Sequence, residues 1–191
     1  MCADIFTYGN STFDPTLECD IGFVGGYWPY KGRVLDKYLL PLLHPLGEYS
    51  VKIFGNQPWG VNQYCGVIAD EDVKNLFASA KICPNLSKPH AQEFGIDLNE
   101  RIFKTLYAGG FCIADNVEAY KMFGDGIVIA ESPEDFKDKI DFYLQNTADR
   151  IEVAEKGNKF VTDNHTSIHR IAEILDYFEL DKYSKQVMGS Y

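Results

Sequence analysis

The apolar positions of this chain fall into six short runs, separated by stretches with helical spacing. The runs are nearly continuous rather than alternating, which is typical of strands buried on both faces of a parallel sheet. Short buried strands that alternate with helices predict an α/β fold, a three-layer α/β/α sandwich around a parallel sheet of about six strands. The predicted strands are DIGFVGG from residue 20, SVKIFGN from 50, CGVIA from 65, KICPNL from 81, GFCIAD from 110 and GIVIAE from 126.

The stretches between these runs carry helix signals. RVLDKYLLPLLHPLG has helical spacing, and Pro41 is expected to end or kink that helix near Leu40, because proline lacks the N–H that a helix interior needs. DEDVKNLFASA begins with acidic residues, which the helix dipole favours at an N-terminus. Ser132 is the predicted N-cap of SPEDFKDKIDFYLQN, with Pro133 at its first position. Two further helical patterns cover about 148–162 and 166–178.

The stretch DLNERIFKTLYAGG, from residue 97, predicts a helix over about 98–108. Asp97 and Glu100 form a D-x-x-E pattern, a variant of the capping box. Gly109 or Gly110 can adopt the left-handed conformation that ends a helix. A capped surface helix with a Glu100–Lys104 ion pair is one interpretation of this stretch. The other is a ligand site at the positive end of the helix.

The 191 residues are enough for one well-packed domain. Residues 1–18 mix Gly, Asn, Ser, Thr and Pro and are predicted to form a linker-like segment. Residues 19–178 are predicted to form the domain, and residues 179–191 a C-terminal tail.

The formal net charge of -10 argues against a nucleic-acid partner, which requires clustered Lys and Arg. It is compatible with a small phosphorylated ligand, which needs one or two cations and backbone donors. Five cysteines without C-x-x-C spacing favour a reducing, cytoplasmic environment over a disulfide framework or a zinc site. The start of the chain does not resemble a signal peptide, and no apolar run is long enough to span a bilayer.

Ligands of parallel sheets bind at the carboxyl ends of the strands, and two regions there carry candidate chemistry. GGYWPYKGR follows the first strand, and Gly25 and Gly26 let the backbone approach a ligand closely. Lys31 and Arg33 add positive charge, so the stretch suggests a phosphate site, with an ordinary glycine turn as the alternative. In the loop before residue 98, Glu93 could hold sugar hydroxyls beside the helix N–H groups.

Metal binding is not expected from the sequence. Asp70 and Asp72 form a D-x-D pattern, which we interpret as the acidic start of a helix. His165 and His169 are four residues apart, but no third ligand is evident. We therefore expect neither a metal nor another cofactor.

In their order along the chain, these motifs resemble the C-terminal, donor-nucleotide-binding half of a GT-B-fold glycosyltransferase. The resemblance is to the branch of the group 1 transferases that includes spore-maturation-type proteins, and it runs from about residue 20 to 175. It is carried by DIGFVGGYWPYKGR, VKIFGNQPW, YCGVIADEDVKNLFASAKICPNL, NERIFKTLYAGGFCIAD and YLQNTADRIEVAEKGNKFVTDNHTSIHR.

The resemblance implies one Rossmann-like half of the GT-B fold and metal-independent transfer of a sugar from a nucleotide-diphosphate donor. Arg33, Glu93 and Arg101 would be the catalytic residues, with Arg33 on phosphate and Glu93 at the donor sugar. The backbone of 66–69 would hold the base. The implied substrate-binding residues are Gly25, Gly26, Tyr27, Lys31, Gly55, Val67, Asn85, His90, Gly95, Asn99 and Lys104.

Two departures from the family pattern leave alternatives open. Many relatives carry Glu at the position of Lys104, where it grips the ribose hydroxyls; here the ribose is held otherwise, the donor is unusual, or its affinity is weak. The chain also has room for only one of the two GT-B domains, so a carbohydrate or glycoconjugate acceptor could require an N-terminal acceptor domain or partner chain. Besides a glycosyltransferase, a non-catalytic nucleotide-sugar- or partner-binding module and an unrelated nucleotide-binding protein are therefore possible.

Overall fold

The computed structural model describes residues 1–190, and its centre is a six-stranded sheet. All strand pairs are parallel, in the order β3-β2-β1-β4-β5-β6. The predicted α/β fold with a parallel sheet of six strands is thereby confirmed. The strands are β1 (Cys19–Val24), β2 (Val51–Phe54), β3 (Tyr64–Gly66), β4 (Ala80–Asn85), β5 (Cys112–Asp115) and β6 (Val128–Ala130).

Helices cover both faces of the sheet. There are also two 3₁₀ segments, Leu40–Leu43 before β2 and Glu118–Gly126 before β6. Within residues 1–190, none of the helices has the length and apolar character needed to cross a bilayer. The helices are α1 (Ile5–Tyr8), α2 (Pro29–Tyr38), α3 (Asp70–Ser79), α4 (Pro89–Phe94), α5 (Glu100–Tyr107), α6 (Pro133–Gln145), α7 (Thr147–Asn164), α8 (Ser167–Tyr177) and α9 (Asp181–Gly189).

The strand order creates a crevice between β1 and β4. The chain builds outward from β1 to β2 and β3, then returns to β4 on the other side of β1, where Ile21 pairs with Ile82. Connections therefore leave the carboxyl ends of β1 and β4 in opposite directions. This switch point is where open parallel sheets bind ligands.

Apolar clusters on the two faces hold the layers together. On one face, Phe23 of β1 packs with Leu35 of α2 and Phe136 of α6, all fully buried. On the other, Phe103 of α5 packs with Tyr120 from the second 3₁₀ segment. Burial of side chains of this size stabilises the fold by about 1.5–3 kcal/mol each.

The N-terminal segment is bonded to the start of α8, and α9 packs against α8. Ala3 N–H donates to the His165 carbonyl at 2.8 Å, Ser167 N–H donates to the Ala3 carbonyl at 2.8 Å, and Tyr8 of α1 is buried. Residues 1–18, predicted to be linker-like, thus include a docked helix, and α9 occupies most of the predicted tail. The domain boundaries at 18 and 178 stay predictions.

Most predicted helix ends agree with the structure. α2 gives way to a 3₁₀ turn that contains Pro41, Ser132 accepts the Asp135 N–H at 3.1 Å, and Gly109 has φ +78°. The expected capping box is wrong, because α5 begins after Asn99 and that residue makes no side-chain cap bond. Asp97 bonds His90 instead, at 2.9 Å.

Two elements differ from the sequence prediction. The predicted loop at 89–95 contains helix α4, which has Pro89 at its first turn and Gly95 at φ +71° as its stop. The predicted buried strand at 65–69 is the short edge strand β3, whose residues are partly exposed. A sheet edge needs only one neighbouring strand, which is why β3 can be so short.

The close packing of α7 predicts the effect of one substitution. A Cβ at Gly157 would lie 2.3 Å from the Gly126 carbonyl oxygen, so Gly157→Ala must displace backbone. We expect a loss of about 1–3 kcal/mol in the free energy of unfolding by urea titration, because overpacking outweighs the helix preference of alanine. Gly189→Ala in α9, where a Cβ would meet nothing within 4 Å, is the matched control and should be neutral. Equal stability of the two variants would contradict the packing described.

Candidate functional site

Two clefts open at the carboxyl ends of β1 and β4, and the first turn of α5 separates them. The cationic cleft has a volume of about 270 Å³ and contains Lys31, Lys88 and Arg101. The Tyr8 cleft has a volume of about 350 Å³, with Tyr8, Val24, Val73 and Phe77 in its walls. The residues that line both clefts are Asn99, Glu100 and Arg101.

The glycines after β1 and β2 allow two backbone turns to approach each other closely. Gly25 N–H donates to the Phe54 carbonyl at 2.8 Å, and the Gly25 carbonyl accepts from Trp59 Nε1 at 2.9 Å. A Cβ at Gly55 would lie only 2.5 Å from the Gly25 carbonyl oxygen. Gly55 is therefore needed for this approach, although neither Gly25 nor Gly55 lines either cleft.

Gly26 and Tyr27 continue this turn toward α2. A Cβ at Gly26 would meet Trp28 Nε1 at 2.8 Å. The Tyr27 hydroxyl donates to Asp36 Oδ1 at 2.8 Å, and its ring packs edge-on against Trp59 at 5.4 Å. Tyr27 thus makes contacts within the protein that orient the turn.

Arg101 places an unmatched positive charge between the clefts. Its guanidinium carbon lies 4.7 Å above the centroid of the Phe23 ring. Nη1 is buried and has no hydrogen-bond partner within residues 1–190. Burial lowers the pKa of Arg101. An unsatisfied buried donor costs about 1–3 kcal/mol, so the chain keeps this guanidinium at a cost to its stability.

Lys31 of α2 lies over the same ring, with Nζ 5.6 Å from its centroid. Burial, reinforced by the nearby charges of Arg101 and Lys88, lowers the pKa of Lys31 to about 7. Asp115 opposes this shift. Arg101 and Lys31 are therefore a pair of desolvated cations that both line the cationic cleft, and an anion bound there would relieve the repulsion between them.

A buried polar network lies behind this pair. The Asp115 carboxylate accepts the Ser87 hydroxyl at 2.9 Å, the Ser87 N–H at 3.1 Å and Gln92 Nε2 at 2.7 Å. Burial raises the pKa of Asp115, although these hydrogen bonds act in the opposite direction. The Ser87 hydroxyl lies 2.7 Å from the Tyr120 hydroxyl, which accepts from Asn99 Nδ2 at 3.1 Å. The amide orientation of Asn99 is thereby fixed.

That orientation leaves Asn99 Oδ1 buried without a hydrogen-bond partner in the described part of the chain. The site therefore offers an unused donor on Arg101 and an unused acceptor on Asn99, next to each other in sequence. Asn85, at the end of β4, is fully buried beside the Tyr120 hydroxyl. Its side-chain Nδ2 and Oδ1 have no hydrogen-bond partner within residues 1–190, and it does not line either cleft.

An ion pair joins successive turns of α5. Lys104 Nζ lies 2.7 Å from Glu100 Oε1 and 4.9 Å from the centroid of the Tyr8 ring. Burial alone would lower the pKa of Lys104, but Glu100 and Tyr8 together raise it. The predicted Glu100–Lys104 pair is present, and both residues line the Tyr8 cleft, with Glu100 largely exposed.

Three sequence candidates on α4 and its end lie outside both clefts. His90 stacks on Tyr30 with a 6.0 Å centroid distance and bonds Asp97, which does line the cationic cleft. Glu93 is exposed, and Gly95 ends the helix with its carbonyl bonded to Ala119 N–H at 2.8 Å. The expected loop that would offer Glu93 to a sugar is replaced by a helix that directs residues 93–95 elsewhere.

Arg33 and Val67 also lie away from the clefts. Arg33 is two residues after Lys31, about 200° around the helix, and its side chain is exposed. The structure therefore favours Lys31 over Arg33 as the cation of this helix. Val67 follows β3 and is 74% exposed.

Within residues 1–190, no group of three or more His, Cys, Asp or Glu side chains is arranged to hold a metal ion. His165 and His169, the pair spaced four residues apart, make contacts within the protein. His169 completes the N-terminal cap of α8 with Thr166, and His165 Nδ1 lies 3.2 Å from Arg170 Nη2. Asp70 and Asp72 occupy the first turn of α3, where an acidic cap was expected.

Ser87 and Asp115 lie at strand ends, where ligands were expected, but the sequence did not reveal their contacts with each other and with Tyr120. Asp115 and Tyr120 lie 28 and 33 positions after Ser87, so their contacts with it depend on strand order. The one available signal was an acidic residue, Asp115, at the end of a buried apolar run, since a buried carboxylate requires partners.

Comparisons with known proteins agree with this architecture. The family model described as glycosyl transferase-like matches residues 37–176. No curated protein matches the chain. Among solved structures, Alr3699/HepE from Anabaena in complex with UDP-glucose is similar at a TM-score of 0.62 and 13% identity. That alignment covers 100% of this chain and 56% of the other.

Two further structures are similar to this chain. A mutant of BGT from T4 phage in complex with UDP-glucose has a TM-score of 0.65 and 12% identity, over 95% of this chain and 52% of that one. Sucrose-phosphate synthase from Thermosynechococcus elongatus has a TM-score of 0.59 and 12% identity, over 92% and 47%. The chain thus spans about half the length of these structures.

The low identities establish likeness of fold alone, and that fold is the expected Rossmann-like C-terminal half of GT-B. The family model is independent of that likeness and covers well over half of the chain. The chain belongs to the glycosyl transferase-like family.

Proposed function

We propose that the cationic cleft binds the diphosphate of a nucleotide-diphosphate sugar, and that the protein transfers the sugar to a carbohydrate or glycoconjugate acceptor. The buried, unpartnered Nη1 of Arg101 carries the proposal. A positive group without a partner in a folded protein calls for an anion, since desolvation is otherwise uncompensated.

The surroundings of Arg101 favour a diphosphate over a single carboxylate. Lys31 supplies a second desolvated cation beside it, and Lys88 adds a third positive charge at the cleft. The first N–H groups of α5 add partial positive charge from the helix end. Because the whole chain carries a formal net charge of -10, this local excess of cations is distinct from the rest of the protein.

The similar structures favour a nucleotide sugar as the form in which the diphosphate arrives. HepE and BGT were both solved with UDP-glucose. UDP-glucose is therefore the first donor to test with this chain. In the proposal, Lys31, Asn99 and Arg101 are retained as binding residues, whereas Arg33, Glu93 and Gly95 are not.

Sugar transfer breaks the bond between the anomeric carbon and the β-phosphate oxygen while an acceptor hydroxyl bonds that carbon and releases its proton. Negative charge grows on the departing diphosphate. Arg101 and Lys31 would stabilise that charge, which assigns to side chains the role that a metal ion has elsewhere. The proposal is therefore that transfer is metal-independent, and it should persist in excess EDTA.

A non-catalytic nucleotide-sugar-binding module is the second candidate function. It is favoured by Lys104, which stands where many relatives carry the Glu that grips the ribose hydroxyls. The acceptor site and the base that takes the hydroxyl proton would then belong to a further domain or a partner chain. Release of more than one UDP per chain from UDP-glucose, with simple sugars as acceptors, would favour the transferase.

Arg101→Met should lose UDP-glucose binding without losing stability. Removing the guanidinium eliminates the anion partner, and it also removes an unsatisfied buried charge. We expect the dissociation constant measured by calorimetry to rise at least about tenfold, as loss of a charge-assisted contact does. The free energy of unfolding should stay equal or increase.

Arg33→Ala is the matched control for that variant. It removes an arginine from the exposed side of α2 and should leave UDP-glucose affinity unchanged. The opposite pattern, in which Arg33 matters and Arg101 does not, would reject the cationic cleft as the diphosphate site.

Binding should take up a proton near neutral pH. In the free protein the pKa of Lys31 is about 7, so this amine is largely neutral at pH 8, and a bound diphosphate raises that pKa. Affinity for UDP-glucose should therefore fall as pH rises from 7 to 8.5, by at most about tenfold per pH unit. Calorimetry in buffers of different ionisation enthalpy measures the uptake directly.

Lys31→Met should remove both the uptake and this pH dependence. The free variant should also lack a rise in stability between pH 7 and pH 10.5, because only in that window does unfolded Lys31 bind more protons than folded Lys31. An unchanged pH profile would assign the titration to another group.

A further inference from the structure

We propose that Lys31 is a carbamylation site, where the side-chain amine combines with carbon dioxide to form a carbamate. This modification goes beyond the proposed function, because it requires neither a nucleotide nor a sugar. Its origin is the set of groups that line the cationic cleft, namely the amine of Lys31 and the unpartnered polar atoms of Arg101 and Asn99.

The Lys31 amine is available to react. Within residues 1–190, Nζ makes no hydrogen bond and no ion pair, and it lies 5.6 Å from the centroid of the Phe23 ring. The side chain is partly buried and lines a cleft of about 270 Å³, which is wide enough to admit a molecule as small as carbon dioxide.

The surroundings of this amine also favour its reactive form. A neutral amine has the lone pair that attacks carbon dioxide, whereas an ammonium group has none. Burial, together with the charges of Arg101 and Lys88, lowers the pKa of Lys31 to about 7, although Asp115 acts in the opposite direction. A large share of the Lys31 amine is therefore neutral near physiological pH, unlike the amine of an exposed lysine.

The reaction needs no oxidant or reductant. The Nζ lone pair attacks the carbon of carbon dioxide, and a nitrogen–carbon bond forms. One carbon–oxygen π bond breaks and leaves its electron pair on oxygen, while the nitrogen releases a proton to the solvent. The product is a carbamate, which retains an N–H donor and carries a negatively charged carboxylate.

The cleft offers partners for each part of this carbamate. Arg101 Nη1 is buried without a hydrogen-bond partner in the described part of the chain, and it is a donor for the carboxylate. Lys88 adds a second positive charge to the cleft. Asn99 Oδ1, also buried and unpartnered within residues 1–190, is an acceptor for the N–H. The modification thus exchanges repulsion between neighbouring cations for attraction.

A carbamate at Lys31 would compete with any anion for this cleft. It removes one cation and introduces a negative charge beside Arg101, so pyrophosphate would lose a contact and meet repulsion. A bound anion would in turn hold Lys31 in its charged form, which does not react. Anion binding at the cationic cleft would therefore depend on the concentration of carbon dioxide.

The test incubates the full chain with ¹³C-labelled bicarbonate, in equilibrium with carbon dioxide, at pH 8. Triethyloxonium then converts carbamates to stable ethyl carbamates, and mass spectrometry of tryptic peptides locates the label. The label at Lys31 should exceed that at Lys37, which is exposed on the same helix, by at least about tenfold, because a lowered pKa enlarges the neutral fraction. Lys31→Met should lose this label, and excess pyrophosphate should suppress it in the unmodified chain.

Arg101→Met keeps the amine but removes its cationic neighbour, so the label at Lys31 should fall. Arg33→Ala, which removes an arginine from the exposed side of α2, is the matched control and should keep the label. A label at Lys31 no higher than at Lys37, or one that Arg101→Met leaves unchanged, would overturn the proposal.

A second measurement separates the carbamate from a bicarbonate ion bound without a covalent bond. Bicarbonate should raise the dissociation constant of the unmodified chain for pyrophosphate, measured by calorimetry, and should leave that of Lys31→Met unchanged. If bicarbonate weakens pyrophosphate binding while Lys31 carries no label, the cleft holds a free anion and the carbamate is rejected. The labelling result is independent of UDP-glucose, so the proposed function is tested separately.

Discussion

The candidate site depends on one unmatched charge, the guanidinium of Arg101, which lies over the Phe23 ring at the switch point between β1 and β4. Its Nη1 is buried without a partner, and the second nearby cation, Lys31, has a pKa lowered to about 7 by burial. The surrounding architecture keeps them there. The glycines after β1 and β2 bring two turns together, and the buried Asp115 offsets part of the positive charge through the polar network behind the cleft. A fold that only had to be stable would have replaced these cations with apolar groups.

The fold was predictable because its signals are local. Each central strand is a nearly continuous apolar run, and such runs are long enough to be recognised without knowing their neighbours. Ser132 and Gly109 mark helix ends by their own backbone and side-chain chemistry. Where prediction failed, a local signal was weak or ambiguous. Helix α4 has only six residues, and Asp97 could equally cap α5 or pair with His90.

The site was predictable only in part, because its contacts are not local. The sequence indicated the strand ends and the helix that contains Asn99 and Arg101. It could not distinguish Lys31 from Arg33, since two residues on one helix face opposite directions and the orientation of α2 depends on packing. Tyr8 and Glu100 acquire their positions from the docking of α1 near α5, which no periodicity in the first 18 residues indicates. Lys104 has a rationale only when its contacts with Glu100 and Tyr8 are known.

The central claim is that the diphosphate of the donor occupies the space beside Arg101. A crystal structure of the chain with UDP tests it most directly. The account predicts phosphate oxygens about 2.7–3.0 Å from Arg101 Nη1, with Lys31 Nζ on the same diphosphate. UDP bound with its diphosphate on Arg33 or on the α4 surface, and with Arg101 still unpartnered, would contradict it.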